Sequence, residues 1–160
     1  MPAGSATDPR RRARETALKI LYEWELSGQD LDAVIDSWRH ERPYCLNDPD
    51  EVVWPVLDDE LWTLAEGLAR GAAGRLADID PLIAAQAEHW RLERMPIVDR
   101  LILRLAVFEL LATPGTPRAV VINEALELAR TFSTESAVKF VNGVLDGIGR
   151  AVSTPPDARR

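Results

Sequence analysis

Four arginines stand within five positions near the N-terminus, Arg10, Arg11, Arg12 and Arg14 in the run RRRARE. A guanidinium is always charged, offers planar donors that hold phosphates bidentately, and stacks on exposed bases. At about 100° per residue, Arg10, Arg11 and Arg14 fall within one third of a helix circumference, and Arg12 points further round. Groups presented in this way suit single-stranded RNA, whose splayed bases and backbone can be met together. A solvated basic helix start is the competing reading. Cations at a helix N-terminus work against the macrodipole, by roughly 0.3–1 kcal/mol each, so four of them suggest a use other than stability.

Little else in the chain offers reaction chemistry. His40 and His89 are the only histidines, and neither has metal-ligating spacing with the single cysteine, Cys45. One cysteine also excludes an internal disulfide. There is no glycine-rich phosphate loop and no nucleophile elbow. The acidic pairs Asp58/Asp59 and Glu124/Glu127 fall on helices, where a solvated face accounts for them. The sequence predicts no catalytic residue, no metal, no cofactor and no enzyme activity.

The elements that would position the arginines are helices, with no convincing strand. The first starts at Asp8, an N-cap followed by Pro9, carries Ala13, Ala17, Ile20, Leu21 and Trp24 at helical spacing, and stops at Gly28. The second covers Asp30 to about Arg42 and buries Leu31, Val34, Ile35 and Trp38. An acidic connection with three prolines follows over 43–55, read as a surface loop. The third helix is expected over about Val56 to Ala77, with Leu57, Leu61, Leu64, Leu68 and Leu76 inward. Asp80 is expected to cap a fourth helix with Pro81 at its first position and Trp90 near its end. A fifth, from Pro96 to about Ala112, is apolar nearly all round and belongs in the middle of the bundle. The TPGTP linker leads to a sixth from Arg118 to Phe132 and a seventh from about Thr134 to Ala151. In the seventh, Ala137, Val141, Val144, Ile148 and Val152 form the expected buried stripe, and Gly143 and Gly147 invite close approach of another helix.

The fold class is therefore all-α, a seven-helix bundle of two helical subdomains joined by the central fifth helix. One helical domain over 8–152 is expected, flanked by disordered segments at 1–7 and 153–160. At 160 residues, 46% apolar and 28% charged, the chain has a globular balance. No stretch reads as a signal peptide or membrane span, which predicts a cytoplasmic protein with no membrane partner. Net charge is −7, but it is segregated: residues 1–14 carry four arginines against Asp8, and the other 146 residues carry 15 basic and 25 acidic side chains. A basic tip on an acidic body directs a polyanion to one place and leaves room for a basic partner elsewhere.

Three blocks carry a resemblance that covers nearly the whole chain: RRRARETALKILYEWELSG, VDRLILRLAVFEL and VINEALELARTFSTESAVKFVNGVLD. In order and spacing they resemble the NusB family of bacterial transcription antitermination factors. The resemblance implies an all-α fold of two subdomains, no enzymatic activity, and a heterodimer with the ribosomal protein NusE. It implies that the pair binds the boxA element of nascent RNA, notably in ribosomal RNA transcription, and joins other Nus factors on elongating RNA polymerase. By position, it assigns RNA contact to Arg10, Arg11, Arg12 and Arg14 and, at the start of the last helix, to Phe132, Ser136, Lys139 and Phe140. Position 136 is serine where the family can carry an acid. Spacing alone reads Phe132 and Phe140 equally well as core aromatics. NusE contact is assigned to Tyr22, Asp99 and Glu109, although Tyr22 also reads as half-buried core and Asp99 as a favourable first-turn charge. A homodimer of the free protein, through the surface that NusE covers, is open. Two alternatives stand beside this reading: the NusB-like domain of a ribosomal RNA methyltransferase, and a protein-interaction module that binds no RNA.

Overall fold

Asp8 opens the first helix: its Oδ1 accepts the Arg10 amide at 3.0 Å, and Pro9 occupies the first helical position. The helix, α1, runs Pro9–Ser27 and ends where Gly28 adopts φ 68°, ψ 7°, a left-handed cap that glycine enters without penalty. The computed structural model describes residues 8–40, 57–88 and 90–153. Expectations for residues 1–7, the 43–55 connection, Cys45, His89 and the tail beyond Ser153 lie outside them.

Six further helices follow among the described residues: α2 Leu31–His40, α3 Asp59–Gly74, α4 Leu76–Gln86, α5 Ile97–Ala112, α6 Arg118–Phe132 and α7 Glu135–Ser153. A single 3-10 turn, Leu92–Arg94, precedes α5. The described residues contain no strand. The chain divides into two compact units, one up to Arg70 and one from Gly71 onward. The division falls within α3, not at the central fifth helix as the sequence suggested.

In the first unit α1 packs on α2. Ala13, Ala17, Leu18, Ile20 and Leu21 are buried on α1, and Val34 and Ile35 on α2. The Trp38 indole N–H donates to Glu23, joining the two helices through a polar edge. Leu57, Ala65 and Ala13 form a second apolar cluster, with Leu61, Trp62 and Leu64 against it. Asp58 caps α3, accepting the Leu61 amide at 2.8 Å, so the helix starts after the expected Val56–Leu57. Asp32 and Glu66 both bond the exposed Arg70 guanidinium and raise its pKa above the ordinary value. At that exposure the pairs add little stability.

In the second unit α5 packs against α4, α6 and α7. Leu101, Ile102, Leu103, Leu105, Ala106 and Val107 are all buried, as a helix apolar around most of its circumference requires. Fully burying each large side chain contributes about 1.5–3 kcal/mol. Phe108 lies directly over Gly71, where an added Cβ would stand 2.0 Å from the ring. Gly147 likewise admits the Gln86 side chain of α4, with only 2.1 Å left for a Cβ, whereas Gly143 faces open space. Close approach therefore occurs at one of the two expected glycines. Val152, expected in the α7 stripe, is 36% exposed; Ala137, Val141, Val144 and Ile148 are buried.

The fourth helix departs most from expectation. It begins at Leu76, so Pro81 lies inside it and Asp80 is not its cap. An interior proline loses a backbone hydrogen bond and costs about 3 kcal/mol. Here it is flanked by Ile79 and Ile83, both at 0% exposure, whose burial offsets that cost. Asp80 instead holds α4 to α5 through a two-pronged pair, accepting Arg104 Nε and Nη2 at 2.9 Å each. Trp90, expected near the helix end, lies beyond Gln86 and is 55% exposed.

Candidate nucleic-acid interface

The capped first turn of α1 fixes where the arginines point. Besides the Arg10 amide on Asp8 Oδ1, the Arg11 amide donates to the Asp8 carbonyl at 2.8 Å, so helical geometry is established before Arg12. Arg10 and Arg12 are exposed and Arg11 is half-buried. Arg14 is only 6% exposed. The three arginines expected on one face thus differ in depth, from exposed Arg10 through half-buried Arg11 to buried Arg14. Arg14 precedes the buried Leu18 and Leu21 by four and seven residues, so it rides on the core stripe of α1. Thr16, also buried, returns its hydroxyl to the Arg12 carbonyl at 2.9 Å and stiffens the same turn.

The second group of expected residues surrounds the α6–α7 junction. Phe132 closes α6 and Phe140 lies in the second turn of α7; both are half-buried. Ser136 and Lys139 are exposed on α7. Thr134 caps this helix, accepting the Ala137 amide at 3.2 Å, with the Ser136 hydroxyl also 3.2 Å away. A recess of about 390 Å³ opens beside the cap, lined by Arg130, Thr134, Glu135, Val138 and Lys139. Of the expected residues only Lys139 lines it. Arg130 and Glu135 were not among the expected site residues, because solvated helix faces account for isolated charges equally well.

The partner residues divide differently. Tyr22 is 40% exposed on α1. Asp99 and Glu109, the other two residues assigned to NusE contact, are buried, at 6% and 5% exposure. Asp99 accepts the Ser133 hydroxyl, which joins the start of α5 to the end of α6. Glu109 lies near the end of α5, where its backbone carbonyl accepts both the hydroxyl and the amide of Thr113. Among the described residues no cluster of three His, Cys, Asp or Glu side chains could hold a metal ion. No described helix is long and apolar enough to cross a membrane.

Among the described residues, seven helices in two compact units, with exposed arginines on a capped first turn, define an all-α scaffold. The sequence comparisons are more specific. The NusB family model matches residues 11–150, and the chain belongs to the NusB family. The transcription antitermination protein NusB of Solibacter usitatus is 46% identical over 152 residues, 94% of this chain and 96% of the relative. The Streptomyces coelicolor protein of the same name is 40% identical, over 94% and 97% of the two chains. Among solved structures, T. maritima NusB superposes with a TM-score of 0.74 at 35% identity, covering 94% of this chain and 96% of that one. A structure of antitermination factors NusB and NusE in complex with double-stranded RNA gives 0.71 at 27% identity, covering 89% and 97%.

Proposed function

We propose that this protein is a transcription antitermination factor that binds boxA RNA together with NusE and joins elongating RNA polymerase, notably in ribosomal RNA transcription. The observation that carries the reading is the match, over nearly their whole length, to relatives named for antitermination rather than for a reaction. The same relatives argue against the methyltransferase-domain alternative. The chain works where nascent RNA is made, in the cytoplasm, as a binding protein and not an enzyme.

Arg10 and Arg12 supply exposed cations on a rigid turn, and Lys139 supplies another on α7. Arg11 takes part with its exposed portion. Half-buried Phe132 and Phe140 are the aromatic rings available for base stacking, worth about 1–3 kcal/mol per base where a base reaches a ring face. Phosphate contacts of this kind position the RNA, while base contacts and NusE decide which RNA is held. Tyr22 is the NusE-facing residue most open to a partner.

Fluorescence anisotropy with labelled boxA RNA, with and without NusE, tests the reading. Binding is expected to be weak alone and much tighter with NusE. The log–log salt slope should be about −3, from Arg10, Arg11, Arg12 and Lys139 at roughly −0.7 each for a single strand. Arg10→Ala with Arg12→Ala should lower affinity about tenfold, or 1.4 kcal/mol, while Arg14→Met should register in unfolding instead. Unchanged RNA affinity in the double variant removes the arginine grip. Absence of RNA binding by the native protein with NusE overturns the RNA reading as a whole.

A further inference from the structure

The recess at the α6–α7 junction carries, beside Lys139, charged groups that the RNA grip proposed above does not use. Arg130 stands in the last turn of α6, half-exposed, with its guanidinium tied to Glu127 three residues earlier. That single contact engages one Nη of the guanidinium, whose planar faces can stack on a base, which an ammonium cannot do. Across the recess lie Glu135 and Lys139, four residues apart on α7, in the order that favours a helical ion pair. Among the described residues no ion pair joins them or engages either one. A carboxylate acceptor and an ammonium donor therefore remain available to a ligand. Thr134 fixes this first turn by capping it, and Val138 adds an apolar wall.

The volume, about 390 Å³, lies at the lower end of the range for small-ligand sites. The charges decide the ligand. Arg130 with Glu127 and Lys139 with Glu135 sum to zero, so a bare phosphate gains little. A nucleotide uses every group: a π-face for the guanidinium, a phosphate for the ammonium, and an amine for the carboxylate. Ionised Glu135 can only accept. Cytosine N4, adenine N6, and guanine N1 and N2 donate to it, whereas uracil offers one N–H between two carbonyl oxygens that repel a carboxylate.

We propose that this recess is a base-reading subsite for one nucleotide of the RNA, in which Arg130 stacks on the base, Lys139 meets the phosphate and Glu135 selects an amine-bearing edge over uracil. The proposal rests on the RNA-binding function above and adds a specificity-determining acid and a stacking plane to it.

Labelled oligocytidine and oligouridine, titrated into the protein with NusE present, provide the test. Native protein should prefer oligocytidine by about tenfold, the discrimination of one good base-edge contact. Glu135→Gln should bring the ratio close to one, because an amide both donates and accepts. Arg130→Met should weaken both oligomers about tenfold, and Arg130→Lys should not restore them, since the stacking plane is lost while the charge remains. Each variant is on the surface, so thermal unfolding should match the native protein. A cytidine-to-uridine ratio unmoved by Glu135→Gln, or native affinity in Arg130→Lys, overturns the subsite. If binding falls with Arg10→Ala and Arg12→Ala but ignores Arg130 and Glu135, the RNA reading stands and the subsite alone fails. If native protein binds neither oligomer nor boxA RNA, both fail.

Discussion

Replacing Asp80 by serine separates two roles for one carboxylate. Serine caps a helix about as well as aspartate, so a capping Asp80 would tolerate the change with little loss. As the partner of Arg104 it would not. Both carboxylate oxygens accept from the guanidinium at 2.9 Å, and the two side chains are only 26% and 12% exposed. Two unit charges about 4 Å apart attract by about 4 kcal/mol at an effective dielectric constant of 20, and desolvation opposes part of this. Wholly exposed pairs net about 0.2–1 kcal/mol, and breaking a buried one costs about 3–5. This pair lies between, so Asp80→Ser should cost about 2 kcal/mol. The double variant with Arg104→Met should be scarcely less stable than Arg104→Met alone. Urea unfolding followed by far-UV circular dichroism and tryptophan fluorescence measures the cycle, with coincident transitions required because the chain has two units. A native midpoint for Asp80→Ser, with coupling to Arg104 below about 0.3 kcal/mol, would refute the argument.

Two alanine substitutions one turn apart on α3 should have opposite signs. Gly67 has nothing within 4 Å of an added Cβ, so Gly67→Ala should stabilise by about 0.5–1 kcal/mol; at Gly71 the Cβ would meet the Phe108 ring, and Gly71→Ala should destabilise by about 1–3 kcal/mol. Equal thermal shifts for the two would contradict the close approach. Asp99→Ala should lower stability by about 1–2 kcal/mol by stranding the Ser133 hydroxyl, while Tyr22→Ala should leave stability within about 0.5 kcal/mol and weaken NusE binding in calorimetry. A native NusE affinity in Tyr22→Ala takes that residue out of the interface.

Where an element carries its own boundary chemistry, the sequence is enough. Asp8, Pro9 and Gly28 delimit α1, and Pro117 with Phe132 brackets α6, because caps and prolines act within a turn of where they stand. The same signature misled at Asp80–Pro81. Tertiary burial of Ile79 and Ile83 there sustains a helix through a proline that local rules place at its start. Site residues were legible by type but not by depth. Angular spacing says which arginines share a side of α1, not that the side with Arg14 is covered. Asp99 and Glu109 are assigned by position in the family pattern, and charged residues are seldom fully buried, so nothing in the sequence marks their depth. Both are buried, Asp99 where the start of α5 meets a residue 34 positions later at the end of α6. Arg130 and Glu135 lie on successive helices, and only the turn at Ser133–Thr134 brings them to one recess.

The hydrogen bond from the Arg10 amide to Asp8 has a consequence for timing as well as for structure. Fixing one residue's backbone costs about 1–2 kcal/mol of conformational entropy at ambient temperature. In an arginine-rich arm that orders only on contact, that loss falls on the encounter and slows or weakens capture. In this chain it is met during folding, over the turn from Pro9 to Arg12. In the function proposed above, the RNA to be captured is a transcript still being made. A grip assembled in advance can act on it without first finding its shape.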